Sequence, residues 1–194
     1  MKTLALDIST TTTGYAILNE RGALLKSGQF HMKDRGLSDT RYAHAITEKV
    51  VKLIKTQNIG NLSIEDVYYG KNIKNVKTWC RVHGAVANYW YKLTEKEPIY
   101  MMASSARSRN GLHSQCKKIE VQLAMSHEFG LVDPKIYYSY CGKLGKLLQQ
   151  KENKSMSKNK FDYQMNKISK AFEDETGISE HIADAILLGK STCK

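Results

Sequence analysis

Asp7 stands in the run Leu4-Ala5-Leu6-Asp7-Ile8, a carboxylate set among strand-forming apolar residues and followed by Ser9-Thr10-Thr11-Thr12-Thr13-Gly14. An ionised carboxylate placed there costs several kcal/mol unless it is paired or bound to a cation. Metal coordination is one outcome, and simple capping of the Thr-rich turn is the other. Two further segments could supply co-ligands. Leu62-Ser63-Ile64-Glu65-Asp66-Val67 reads as a strand that ends in acids. Near the C-terminus, Glu180, His181 and Asp184 lie in Ser179-Glu180-His181-Ile182-Ala183-Asp184-Ala185-Ile186. On a helix, residues three or four apart share a face, so His181 with Asp184, or Glu180 with Asp184, can point at one spot. Three or four such ligands suit hard divalent cations, Mg²⁺ or Mn²⁺, with imidazole favouring Mn²⁺ somewhat. Two cations about 4 Å apart would serve phosphodiester hydrolysis, one generating the nucleophile and the other stabilising the leaving oxygen.

The elements that must position these residues follow from periodicity. Thr3 to Ile8, Tyr15 to Leu18 and Ala23 to Met32 read as three antiparallel strands, with Asn19-Glu20-Arg21-Gly22 as a hairpin turn. Thr40 to Gln57 carries Tyr42, Ile46, Val50, Leu53 and Ile54 at helical spacing. Leu62 to Val67 is a fourth strand, Val76 to Leu93 a second helix, and Pro98 to Met102 a fifth strand. A basic loop with Arg107 and Arg109 comes next, then helices over about 114–128 and 179–190. The stretch from about 130 to 160 is weakly patterned and rich in lysine, which reads as a mobile basic insertion or a solvated linker. Along the fourth strand, alternation favours Glu65 over Asp66 as the inward acid.

Composition narrows the partners. With 30 Lys and Arg against 19 Asp and Glu, the chain of 194 residues has a net charge of +11, which suits a polyanion such as nucleic acid. Cys80, Cys116, Cys141 and Cys193 are scattered, with no zinc-knuckle spacing or disulfide framework, as expected of a reducing cytoplasm. No stretch approaches the roughly 20 apolar residues of a membrane span, so no membrane partner is expected. The length suits one domain, 1–194, with the basic insertion as a decoration.

Three antiparallel strands followed by alternating helices and two parallel strands is the pattern of an α/β, RNase H-like fold: a five-stranded mixed sheet with helices on both faces. In that topology the ends of the first and fourth strands are neighbours. Four segments then resemble the RuvC-type Holliday junction resolvases, most closely their phage-encoded branch. They are Leu6-Asp7-Ile8-Ser9-Thr10 with Gly14-Tyr15-Ala16, Ile64-Glu65-Asp66-Val67-Tyr68-Tyr69-Gly70-Lys71-Asn72, Arg81-Val82-His83-Gly84, and His181-Ile182-Ala183-Asp184-Ala185. The resemblance implies a homodimer that cuts opposed strands of a four-way DNA junction, with two Mg²⁺ per site and Mn²⁺ able to substitute. It maps the catalytic metal ligands onto Asp7, Glu65, His181 and Asp184, and an aromatic wedge onto Tyr68. Stacking on an unpaired base would be worth roughly 1 to 3 kcal/mol. Lys71 and Lys118 align with DNA-contacting positions, whereas Arg107 and Arg109 are assigned phosphate contacts on charge and place alone. Such contacts orient DNA without reading its sequence.

Rival readings share the fold. The Asp-Ser-Thr-Thr-Thr-Thr-Gly run resembles the first phosphate loop of sugar kinases and actin-like ATPases, but those need a second domain and a Gly-rich adenosine motif, so no nucleotide cofactor is expected. A junction-binding protein with weak catalysis would carry the same elements, as would a nuclease acting on RNA or flap DNA.

Overall fold

A computed structural model describes residues 1–31, 38–67 and 73–193. Strands β1 (Lys2–Ile8), β2 (Thr12–Leu18), β3 (Leu24–His31), β4 (Ile59–Glu65) and β5 (Ile99–Met101) form one sheet in the order β3-β2-β1-β4-β5. β1 pairs antiparallel with β2 and parallel with β4, and β4 pairs parallel with β5. This is the mixed five-stranded sheet expected from sequence. The β2–β3 turn falls on Asn19 to Gly22 as anticipated: the Asn19 side chain accepts from the N–H groups of Arg21 and Ala23, and Gly22 takes a φ of 77° that favours glycine.

Alternation along β1 decides which helices cover which face. Leu4, Leu6 and Ile8 point to one side, where they pack with α1 (Asp39–Gln57) and α2 (Ile73–Thr94) through Ile46, Val50, Val82, Val86 and Trp90. Ala5 faces the other way, toward α7 (Glu180–Thr192), and its cluster includes Ala183, Ile186 and Leu187. Asp7 lies two residues on from Ala5 and so shares its face. That is why a carboxylate can interrupt the apolar run without breaking the core beneath α1 and α2. α3 (Ala103–Arg109) and α4 (Lys118–Glu128) complete the α7 side through Ala106, Val121 and Met125.

Two glycines let α7 approach the sheet closely. A Cβ on Gly14 would overlap the backbone carbonyl of His181, and one on Gly189 would overlap the Leu18 side chain. Gly14 is the register partner of Asp7. The first turn of α7 therefore lies directly on the strand pair that carries Asp7.

Two expectations need correction. The basic loop after β5 is in part helix α3, whose Ala-Ser-Ser-Ala-Arg-Ser-Arg sequence has no apolar period and which is fixed by burial of Ala106 and by Asn110. The stretch from 130 to 160, expected as an irregular basic insertion, is instead helix α5 (Pro134–Glu152) and the start of α6 (Lys158–Thr176). Its narrow apolar stripe, Tyr140 and Leu147 facing Phe161, Met165 and Phe172, packs on Ile119 and Leu123 of α4. The lysines take the outer positions. Asp133 and Ser157 cap the two helices by accepting from Lys135 and Lys160 N–H groups.

Candidate active site

Asp7 near the end of β1, Glu65 at the end of β4, and His181 and Asp184 on the first turns of α7 all line one cleft of about 240 Å³. The parallel β1–β4 register, with Leu6 beside Ile64, places the two strand carboxylates side by side. Ser179 starts α7 by accepting from the Ile182 N–H, and it donates to the Gln29 side chain on β3, which fixes the helix entry against the sheet. His181 Nδ1 meets Asp7 Oδ2 at 2.5 Å. Its Nε2 lies 3.8 Å from Glu180, whose carboxylate also pairs with Lys118.

The electrostatics are those of charges crowded together and taken from water. Burial raises Glu65 well above the usual carboxylate range, and the charges of Asp7 and Asp184 and a hydrogen bond with Asp7 push it further, with Arg107 opposing. Burial likewise raises Asp184, helped by Asp7 and Glu180 and offset by Arg107 and His181. Burial favours neutral His181, but the hydrogen bond and charge of Asp7, with Glu180 and Asp184 behind them, outweigh it and raise the imidazole. A divalent cation would relieve this repulsion. Asp7, Glu65 and Asp184 offer the hard oxygen donors that Mg²⁺ or Mn²⁺ prefer, with His181 as a nitrogen donor. Among the described residues no three such side chains already converge as a preformed cage. In this arrangement Asp7 is engaged by His181 and Asp184 by Arg107.

The other sequence-derived candidates separate. Arg107 enters the cleft, its Nη2 lying 3.6 Å from Asp184 Oδ1, and Lys118 stands at the rim. Arg109 points elsewhere, toward the Ser191 carbonyl at the far end of α7. Asp66 also lines the cleft, its carboxylate accepting from the Val67 N–H. Tyr68 and Lys71 lie outside the described residues. The roles missed in the sequence belong to α2: Trp79 and His83 also line the cleft. His83 is 7% exposed, stacks on Tyr100, and is pushed down to about 4 by burial, against the pull of Asp66 and Asp7. Two signals were available for His83: its place in the Arg81-Val82-His83-Gly84 segment, and its position seven residues before buried Trp90 on the same helix face.

The sheet order, with acids closing β1 and β4 beneath a helix, is that of an RNase H-like fold. Residues 3–106 match the family model described as crossover junction endodeoxyribonuclease RuvC. The chain belongs to the RuvC family. It is 32% identical over 90 residues to the crossover junction endodeoxyribonuclease RuvC of Aliarcobacter butzleri (strain RM4018), a match covering 45% of this chain and 57% of that protein. The chain thus spans little more than half the length of that relative. In three dimensions it resembles T. thermophilus RuvC in complex with a Holliday junction substrate, with TM-score 0.64 and 11% identity over 98% of this chain and 91% of the other. A second Thermus thermophilus RuvC structure gives TM-score 0.57 and 14% identity, covering 92% and 98% of the two chains. At these identities the structural likeness speaks for the fold.

Proposed function

We propose that this protein is a metal-dependent endonuclease that resolves four-way DNA junctions by phosphodiester hydrolysis, acting as a homodimer through one RNase H-like nuclease domain. The observation that carries the reading is the meeting of Asp7, Glu65, His181 and Asp184 in one cleft of a RuvC-family chain. These four side chains would hold Mg²⁺, with Mn²⁺ able to substitute. When bound, the cations supply an activated water and stabilise the leaving oxygen. Family membership and the likeness to a RuvC bound to a junction support branched DNA as the partner.

The chain's own residues divide the remaining work. Arg107, at the cleft wall, neutralises Asp184 and can pass to a phosphate oxygen once cations take over the carboxylates. Lys118 at the rim can exchange Glu180 for the DNA backbone in the same way. His181, held between Asp7 and Glu180, sets the orientation of Asp7. Tyr68 is assigned the wedge at the branch point and Lys71 a phosphate contact, both from the family resemblance. Arg109, placed away from the cleft, would contact DNA only through an arm passing the far end of α7. The charge of +11 suits a polyanion, and a DNA-cutting role fits the cytoplasm. Among the described residues no helix is long and apolar enough to cross a membrane.

The test is cleavage of labelled four-way, three-way and linear DNA with Mg²⁺ or Mn²⁺, using wild type and Asp7→Asn. Asn keeps the size of Asp but removes its charge, so cleavage should vanish while junction binding survives. Cleavage of all three DNAs alike would replace junction resolution with a general nuclease, and an active Asp7→Asn protein would refute the site.

A further inference from the structure

Between Lys143 and Lys170 the chain carries eight lysines, 143, 146, 151, 154, 158, 160, 167 and 170, against two acids, Glu152 and Asp162. This excess is more than half of the net charge of +11, and it lies outside the matched region 3–106. Lys143, Lys146, Gln150, Lys160 and Gln164 line a groove of about 480 Å³ between α5 and α6. The three lysines are exposed. Glu152 and Asp162 lie among these lysines near the α5–α6 turn, and three further acids, Glu173, Asp174 and Glu175, close α6, where Glu175 accepts from Tyr140. The lysines thus run from the middle of α5 through the turn and along α6, outnumbering the acids eight to two between 143 and 170.

Neighbouring lysines at the start of α4 link this basic hairpin to the cleft. Lys118 pairs with Glu180 at the cleft rim, while Lys117 pairs with Asp162 in the first turns of α6 at 2.9 Å. One side-chain pair thus ties α4 to the cleft and the adjacent one ties it to the first turns of α6. Buried Gln122 continues the tie, donating to the Ile178 carbonyl just before α7 and accepting from Ser169 of α6. The cleft rim and the first turns of α6 are thus joined through two consecutive residues at the start of α4.

We propose that the α5–α6 groove binds the phosphate backbone of a duplex DNA arm outside the branch point, extending the footprint of the cleft along that arm. The proposal rests on the cleft being a DNA-cutting site. Lysines spaced along a groove act as point charges on phosphates, and the Gln150 and Gln164 amides can donate to the same oxygens. Contacts confined to the phosphate backbone set position and orientation without reading sequence.

The experiment measures binding of the full-length protein to a four-way junction in EDTA across a salt series. Lys146→Gln with Lys160→Gln should weaken binding by about tenfold or more and lower the salt slope by roughly 2, near 0.9 for each phosphate no longer neutralised. Arg at both positions should restore both values. Unchanged affinity and slope would overturn the proposal, as would failure of rescue by Arg in a protein with wild-type circular dichroism. A photocrosslinker attached to Lys160→Cys should label the arm several base pairs from the branch, at positions not labelled by the parent protein. Labelling confined to the branch centre would also overturn it. Cleavage assayed separately with Mg²⁺ keeps the two readings apart: a wild type that binds through the groove without cutting refutes the nuclease, whereas one that cuts with no effect of the lysine changes refutes the groove.

Discussion

The cleft and the α5–α6 hairpin treat charge in opposite ways. Around β1, β4 and α7, acids are gathered and taken from water, so Glu65 and Asp184 are pushed up by burial and by the charges around them. In the hairpin the interior is apolar, with Tyr140, Leu147, Phe161, Met165 and Phe172 buried, and the charges stand outside. Buried like charges weaken a fold and persist where something else uses them, whereas exposed cations cost the fold little and are free to meet a partner. Stability and function should therefore oppose each other in the cleft and be independent in the hairpin.

The largest effect expected from that contrast comes from Glu65→Gln. Cleavage should fall roughly 10³-fold or more, because a ligand charge is lost. In EDTA the same variant should melt at a higher temperature than wild type, since a buried carboxylate repelled by Asp7 and Asp184 becomes neutral. Adding Mg²⁺ should raise the melting temperature of wild type more than that of the variant. A variant that is both inactive and less stable would mean that Glu65 supports the fold, and the contrast would fail at its centre.

Next in size is Gly14→Val, which tests how α7 brings His181 to Asp7. The added side chain would overlap the His181 carbonyl, a backbone atom that cannot rotate away. Overpacking of this kind costs about 3 kcal/mol. Urea denaturation should show that loss, with junction cleavage impaired in whatever protein remains folded. A loss below about 1 kcal/mol would mean that α7 can lift from the sheet without harm.

What could be read from the sequence divides along the same line. The acids were legible because each interrupts an apolar pattern: Asp7 within Leu4 to Ile8, Glu65 after Ile64, Asp184 between Ala183 and Ala185. Their convergence followed from strand order. The hairpin was not legible, because Phe161, Met165, Ile168 and Phe172 form a stripe only one residue wide per turn among lysines, and its partner surface on α4 is a tertiary fact. The pairing of Arg107 with Asp184 was also hidden, since a guanidinium assigned to phosphate is indistinguishable in sequence from one that holds a neighbouring acid.

His83 offers a smaller test, in the pH dependence of stability. Its folded pKa is about 4, below the ordinary 6.5, so the unfolded chain takes up the proton first as pH falls. The contribution of neutral His83 is complete above pH 6.5 and declines as pH drops toward 4. Asp66, Asp7 and Tyr100 face it, and the two carboxylates only partly offset burial. Between pH 6.5 and 5 wild type should lose about 2 kcal/mol relative to His83→Gln, at 1.36 kcal/mol per pH unit. A difference that stays constant over that range would mean that His83 charges freely in the folded protein.

The smallest effect belongs to the hairpin's exposed pair, Lys117 with Asp162. Here the Lys117 hydrogen bond lowers the Asp162 pKa, with Lys117, Lys158 and Lys151 charges adding to it, but water screens all of them. Lys117→Gln should move the melting temperature by no more than ~2 °C, and the change should disappear in high salt. Junction binding is the sharper readout, because Lys117 joins the cleft rim to the hairpin. If the two regions act on one DNA molecule, freeing Asp162 beside the lysines should weaken binding severalfold with the fold unchanged, through repulsion of the incoming phosphates. If binding holds while stability falls, the pair is a structural clamp, and the division between a charge-burying cleft and a charge-presenting hairpin would have to be redrawn between α4 and α6.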